Sequence, residues 1–305
     1  MMDNLELNPI LEKLRDSPNA KTCEFMSFQS FDDTEIFYRK WIPKGETKKI
    51  ILIAHGMAGH GEFFVLLADK LVDKDIMIIA PDYRHHGRSE GKRGDLKRLK
   101  YILKDYAGLM EQIQAEYPGI PLYLLGESMG GLVSISFARF HEECFSKLSG
   151  LILFAPAVKV NFSTLQWMGI GILSPLILLA RIFIPSKGIF SARGSVEEGI
   201  KNPFHQEYDE TDPYHLDKVS MRYILQLFWK LKRAIKAAKK INIPTLIFQG
   251  AEDPVIDPEG VTKFYDHLKT EDKKLVLVKQ AKHSLITDPA FQEKWEIFFK
   301  WLETH

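Results

Sequence analysis

Hydrophobic positions in this chain follow two rhythms that alternate along its length. Six short runs, Ile50–Ala54, Met77–Ala80, Leu122–Leu125, Leu151–Phe154, Thr245–Phe248 and Leu275–Val278, are almost wholly apolar. Runs of that length with no polar alternation predict strands buried on both faces of a parallel sheet. Glu24–Gln29 and Glu35–Trp41 read as a pair of earlier strands. Between these runs, Phe63–Asp73, Leu99–Tyr117, Met129–His141, Glu259–Leu268 and Pro289–Leu302 carry apolar residues at helical spacing. In Met129–His141 the apolar face is formed by Leu132, Val133, Ser136, Phe137 and Phe140. Asp257-Pro258 and Asp288-Pro289 each set an N-cap acid before a proline at the first helical position. Strand and helix alternating in this way predict an open, mostly parallel sheet of about eight strands, flanked by helices.

One stretch breaks the rhythm. From about Ala157 to Lys240 no strand is evident, which predicts a mainly helical insertion at 157–240 between core segments 1–156 and 241–305. Within it, Val160 to Ala180 is uncharged and long enough to span a membrane by length alone. Gly169, Gly171 and Ser174-Pro175 interrupt that stretch and argue against spanning.

Composition narrows the class. A chain of 305 residues with 45% hydrophobic and 27% charged residues has a globular protein's balance and is long enough for one big core or two ordinary domains. Its 41 basic and 40 acidic side chains give no electrostatic case for nucleic acid. Two cysteines, Cys23 and Cys144, exclude a disulfide framework, and the first residues lack a signal-peptide pattern. A reducing cytoplasm is the expected location, with contact at a membrane surface left open.

The strongest chemical signal is Gly126-Glu127-Ser128-Met129-Gly130, a Gly-x-Ser-x-Gly where an apolar strand turns into a helix. Serine is a weak nucleophile until a sharp turn exposes it to a base, and that turn demands small flanking residues. The bare pattern arises by chance in roughly one chain in ten of this size, so its strand–helix setting carries the weight. The base must follow in the chain, as must an orienting acid. Of the later histidines, His141 and His267 fall on helices, His205 and His215 in the insertion, and His305 at the end. His283, after the final strand, is the expected base. Asp253 follows the strand Thr245–Phe248 and competes with Glu252 and with Asp257, which already has a capping role. Oxyanion donors are expected at the backbone N–H of Met129 and of Met57, in the loop His55-Gly56-Met57. His55 reads as a structural hydrogen-bonding residue. His60, His85 and His86 lack metal-ligand spacing, and no Walker A or dinucleotide glycine motif follows a strand, so no metal is expected. If Ser128 and His283 meet, Val160–Ala180 cannot cross a bilayer, because crossing would separate them.

Taken together, these residues resemble the monoacylglycerol lipase and lysophospholipase branch of the α/β-hydrolases, over about residues 22–303. The resemblance rests on His55-Gly56, on the run from Pro81-Asp82 through Arg84-His85-His86-Gly87-Arg88-Ser89 to Gly91, on Gly126 to Gly131, on Gly250-Ala251-Glu252-Asp253, and on His283. It implies a nucleophile at Ser128, an acid at Asp253, a base at His283, oxyanion donors at Met57 and Met129, no cofactor, and a cap after the sixth strand. The chain departs from the family at Glu127, where His is frequent, at Ala58-Gly59-His60 in place of Gly-Glu-His, and at Arg84-His85-His86-Gly87 in place of Arg-Gly-His-Gly.

The expected activity is hydrolysis of acyl-lipid esters through an acyl-enzyme on Ser128. Leu165, Met168, Leu173 and Leu176, in the apolar run Leu165–Ile184, are expected to line an acyl tunnel whose outer face touches a membrane or micelle. A cap helix packed wholly on the core fits the same run. The basic run from Lys230 to Lys240 reads as a solvated helix face. A carboxylesterase or thioesterase for short acyl groups is the alternative enzyme. A peptidase fits less well, since nothing in the cap plainly anchors a substrate's amino terminus. Ser at 128 excludes an Asp-nucleophile haloalkane type. A catalytically silent binding protein would be expected to have lost a member of the Ser128, Asp253 and His283 set, and all three are present.

Overall fold

The structure is a computed structural model in which residues 23–161, 186–192 and 199–305 are described. Eight strands form one sheet: β1 Cys23–Gln29, β2 Glu35–Trp41, β3 Lys49–Ala54, β4 Ile76–Pro81, β5 Leu122–Glu127, β6 Gly150–Phe154, β9 Thr245–Gly250 and β10 Lys273–Val278. A separate pair, β7 Gly188–Ser191 and β8 Lys218–Ser220, lies between β6 and β9 in sequence. Sheet order is β1-β2-β4-β3-β5-β6-β9-β10, with β1/β2 and β2/β4 antiparallel and every other pair parallel. This is the mostly parallel α/β-hydrolase sheet implied above.

The helices among the described residues are α1 Val65–Leu71, α2 Leu99–Glu116, α3 Met129–Phe140, α4 Glu142–Ser146, α5 Pro203–Thr211, α6 Met221–Ala237, α7 Pro258–Asp266 and α8 Trp295–Thr304. Successive strand residues point to opposite faces, and here both faces are covered. Ile50, Leu52 and Ala54 of β3 pack with α2, α3, α6 and α7 on one side. Ile51 and Ile53 pack with α1 and α8 on the other. Burial on both sides is why the inner strands read as unbroken apolar runs.

Three expectations need correction. Leu275–Val278 lies in an edge strand whose Leu277 is half exposed, because no described strand pairs beyond β10. Phe140, placed on the buried face of its helix, is also half exposed at the end of α3, whereas Met129–Ala138 is buried all round. The region 157–240, read as strandless, contains β7 and β8, antiparallel strands of only four and three residues. Asp257 and Asp288 do act as caps, accepting from the N–H groups of Glu259 and Ala290, but the second starts a 3₁₀ turn before α8. No described helix is long and apolar enough to cross a membrane.

A buried polar chain ties α6 to the sheet's upper edge. His86 Nδ1 lies 3.1 Å from the carbonyl of Arg84, an acceptor only, so Nδ1 carries the proton. His86 Nε2, 2.9 Å from the Tyr223 hydroxyl, therefore accepts. Burial holds His86 down to about 4, which keeps it neutral at pH 7. Tyr223→Phe would leave that nitrogen buried without a donor. The expected cost is about 1–2 kcal/mol of stability, read as a lowered urea midpoint; an unchanged midpoint would contradict this assignment.

Candidate active site

Ligand-handling residues in open parallel sheets lie beyond the carboxyl ends of strands, and four such ends meet here. Ser128 follows β5, the His55-Gly56-Met57 loop follows β3, Asp253 follows β9 and His283 follows β10. Ser128 has φ 52° and ψ −115°, a conformation disfavoured for a residue with a Cβ and held by its surroundings. Its N–H donates to Phe154 O, and its carbonyl accepts from Gly131 and Ala157. The flanking glycines are needed for close approach. A Cβ at Gly130 would sit 1.8 Å from Ala54 O, and one at Gly126 would sit 2.6 Å from Gly130 O.

The Ser128 hydroxyl lies 2.9 Å from His283 Nε2, and His283 Nδ1 lies 2.8 Å from Asp253 Oδ2. Asp253 can only accept, so Nδ1 bears the proton and Nε2 is free to take the serine's. Asp253 is buried, and it accepts further from Gln249 Nε2 and from the N–H groups of Val255 and Ile256. Glu252 is exposed, and Asp257 caps α7 and pairs with Lys159, so neither competitor reaches the histidine. The structure thus brings Ser128, His283 and Asp253 into one hydrogen-bonded chain.

Met57 and Met129 flank the serine. A Cβ at Gly56 would lie 3.8 Å from Ser128 Cβ, so the β3 loop runs alongside the hydroxyl. Met129 is the first residue of α3, where N–H groups lack helical acceptors. Among the described residues no backbone carbonyl accepts from the N–H of Met57 or Met129. His55 fixes this loop: its Nδ1 donates to Gly56 O at 2.8 Å, and its Nε2 accepts from Tyr83 N–H at 3.1 Å. Burial pushes its imidazole well below the usual range, so it stays neutral.

Ser128 and His283 open onto a cavity also lined by Met57, Phe63, Val255 and several polar groups. Three of these, His205, Asp209 and His215, come from α5 and the turn after it, and sequence reasoning gave them no role. The spacing of His205 and Asp209, four apart on one helix, was the available signal. His205 Nδ1 is 2.9 Å from Thr287 Oγ1, and burial, with His215 and His283 adding to it, pushes it down to about 3. Glu127 also lines the cavity, and burial, opposed only by His283, pushes its carboxyl up to about 7. The expected tunnel residues Leu165, Met168, Leu173 and Leu176 lie outside the described residues. No cluster of metal-ligating side chains occurs among the described residues.

Comparison with known proteins adds to this geometry. The sequence profile of the family described as "Serine aminopeptidase, S33" matches residues 45–290. The chain is 27% identical over 277 residues to the monoglyceride lipase of Homo sapiens, covering 86% of each chain. It is 24% identical to the monoacylglycerol lipase of Mycolicibacterium smegmatis, over 92% of this chain and 96% of the other. Among solved structures, a soluble variant of the Saccharomyces cerevisiae monoglyceride lipase, in complex with a substrate analogue, superposes with a TM-score of 0.80. That match covers 92% of this chain and 94% of the yeast chain at 23% identity, a likeness of fold.

Proposed function

Since this chain belongs to the S33 serine aminopeptidase family of α/β-hydrolases, we propose that it is a serine hydrolase that cleaves acyl-lipid esters, a monoacylglycerol lipase or lysophospholipase. One observation carries the hydrolase reading: Ser128 Oγ, His283 and Asp253 form a single chain of hydrogen bonds at the rim of the sheet. His283 Nε2 takes the Ser128 proton as Oγ attacks the ester carbonyl. The N–H groups of Met57 and Met129 receive the oxyanion, where its negative charge develops. Asp253 orients the imidazole and stabilises its charged form. The intermediate collapses, His283 hands its proton to the departing alcohol, and the acyl group remains on Ser128. Water, deprotonated by His283, then releases the acid and restores the serine. No cofactor is needed for these steps.

The ester substrate is favoured by the relatives, which are named as lipases although the family takes its description from a peptidase. In this reading 157–240 is the cap. Its apolar run 165–184, including Leu165, Met168, Leu173 and Leu176, holds the acyl chain and meets a membrane or micelle surface. Each methylene buried there adds about 0.8 kcal/mol to binding. Activity on monoacylglycerols, lysophospholipids and p-nitrophenyl esters from C2 to C16 tests this. kcat/KM should climb with chain length, and a maximum at C2–C4 would replace the lipid reading with a short-acyl esterase. Failure of a fluorophosphonate probe to label Ser128 would remove the hydrolase reading altogether.

A further inference from the structure

The steps above leave one carboxyl beside the nucleophile without a role. Glu127 is the last residue of β5, it lines the same cavity as Ser128 and His283, and only 9% of it is exposed. Buried carboxylates elsewhere are held from several sides. Asp82 has Arg39 and the N–H groups of Gly61 and Arg88, and Asp105 has Arg84 and Ser30. The carboxyl of Glu127 has no hydrogen-bond or ion-pair partner among the described residues, and no lysine or arginine among them lines the cavity. A carboxyl left so, largely desolvated yet open to the cavity, gains from a hydrogen-bond donor that arrives there.

We infer that Glu127 is a specificity-determining residue for the alcohol half of the ester, exchanging a hydrogen bond with a free hydroxyl on the leaving group. The chain therefore selects acyl esters of polyhydroxy alcohols over esters of plain alkanols with the same acyl group. This rests on the ester-hydrolase reading and adds the group that reads the alcohol. The acyl half of a lipid offers no donor, and the oxyanion is met by N–H groups, so the alcohol is the part with a hydroxyl to give. Near neutral pH burial keeps a share of the carboxyl protonated. A hydroxyl satisfies both forms, donating to the carboxylate or accepting from the acid. An ammonium satisfies only the ionised form. Of the other titratable groups at the cavity, His283 engages Asp253, His205 Thr287, His55 Gly56 and His60 Asp212.

The test compares kcat/KM for a 1-monoacylglycerol and for the propyl ester of the same fatty acid, in the wild type, Glu127→Gln and Glu127→Leu. The wild type should favour the glyceryl ester by tenfold or more, chiefly through KM. Glu127→Gln, which can still donate and accept, should keep that ratio to within about threefold, and Glu127→Leu should bring it near one. A wild-type ratio near one, or a ratio that survives in Glu127→Leu, overturns the inference. So does its loss in both variants, or a preference for an amino-alcohol ester, either of which points to charge recognition. If the wild type hydrolyses neither ester and resists the fluorophosphonate probe, the ester-hydrolase reading itself has failed. Hydrolysis of both esters at equal kcat/KM leaves that reading standing and removes only this one.

Discussion

Ser128→Ala is expected to lower kcat on any ester substrate by 10⁴-fold or more while the protein stays folded. The size follows from what the hydroxyl alone supplies: without Oγ there is no acyl-enzyme, and residual rate comes only from the oxyanion donors and binding. Folding should survive because Ser128 holds its turn through its backbone, with N–H to Phe154 O and carbonyl to Gly131 and Ala157. The positive φ is then carried by alanine at small extra strain. Asp253→Asn should cost nearly as much through a different route. An asparagine NH₂ facing His283 Nδ1 favours the tautomer with the proton on Nε2, where it cannot accept from serine. Turnover near wild type in Ser128→Ala, with unaltered circular dichroism, would remove the nucleophile from Ser128.

The sheet was legible in the chain because its inner strands are covered on both faces, which leaves apolar runs no helix of that length would need. What a run cannot reveal is its place in the sheet. Leu275–Val278 looks like the central strands yet ends at an edge, and strand order depends on pairings between distant segments. β7 and β8 escaped notice because four and three residues are too few to set a period. Ser128, Asp253 and His283 could be picked out one by one, since each follows a recognisable strand. Their supports could not. Tyr223 reaches His86 across 137 positions and His60 reaches Asp212 across 152, contacts that no local pattern encodes. Glu127 was visible as a departure from the family's usual residue, but its lack of a partner exists only in three dimensions.

Glu127→Gln is expected to stabilise the protein at alkaline pH by about 3 kcal/mol relative to its effect near pH 4.5. In the unfolded chain this carboxyl titrates near 4.5, whereas burial in the native state moves it up to about 7. Below about pH 4 both states hold the proton and the residue has no influence on the pH dependence. As pH rises from 4.5 towards 7, the unfolded chain releases its proton first, so stability falls with pH; the loss is complete only well above 7, where both states are ionised. A shift of that size corresponds to about 3 kcal/mol. A carboxamide does not titrate, so urea midpoints of the two proteins should lie closest near pH 4.5 and separate progressively up to pH 9. A constant gap across that range would mean that the native carboxyl ionises as it does in water, with solvent or a cation at its side. A widening gap would show a carboxyl kept at a standing cost in the empty enzyme. Such a cost is hard to explain by folding alone, because glutamine would fold better, and it is explained if the group's partner arrives with the substrate.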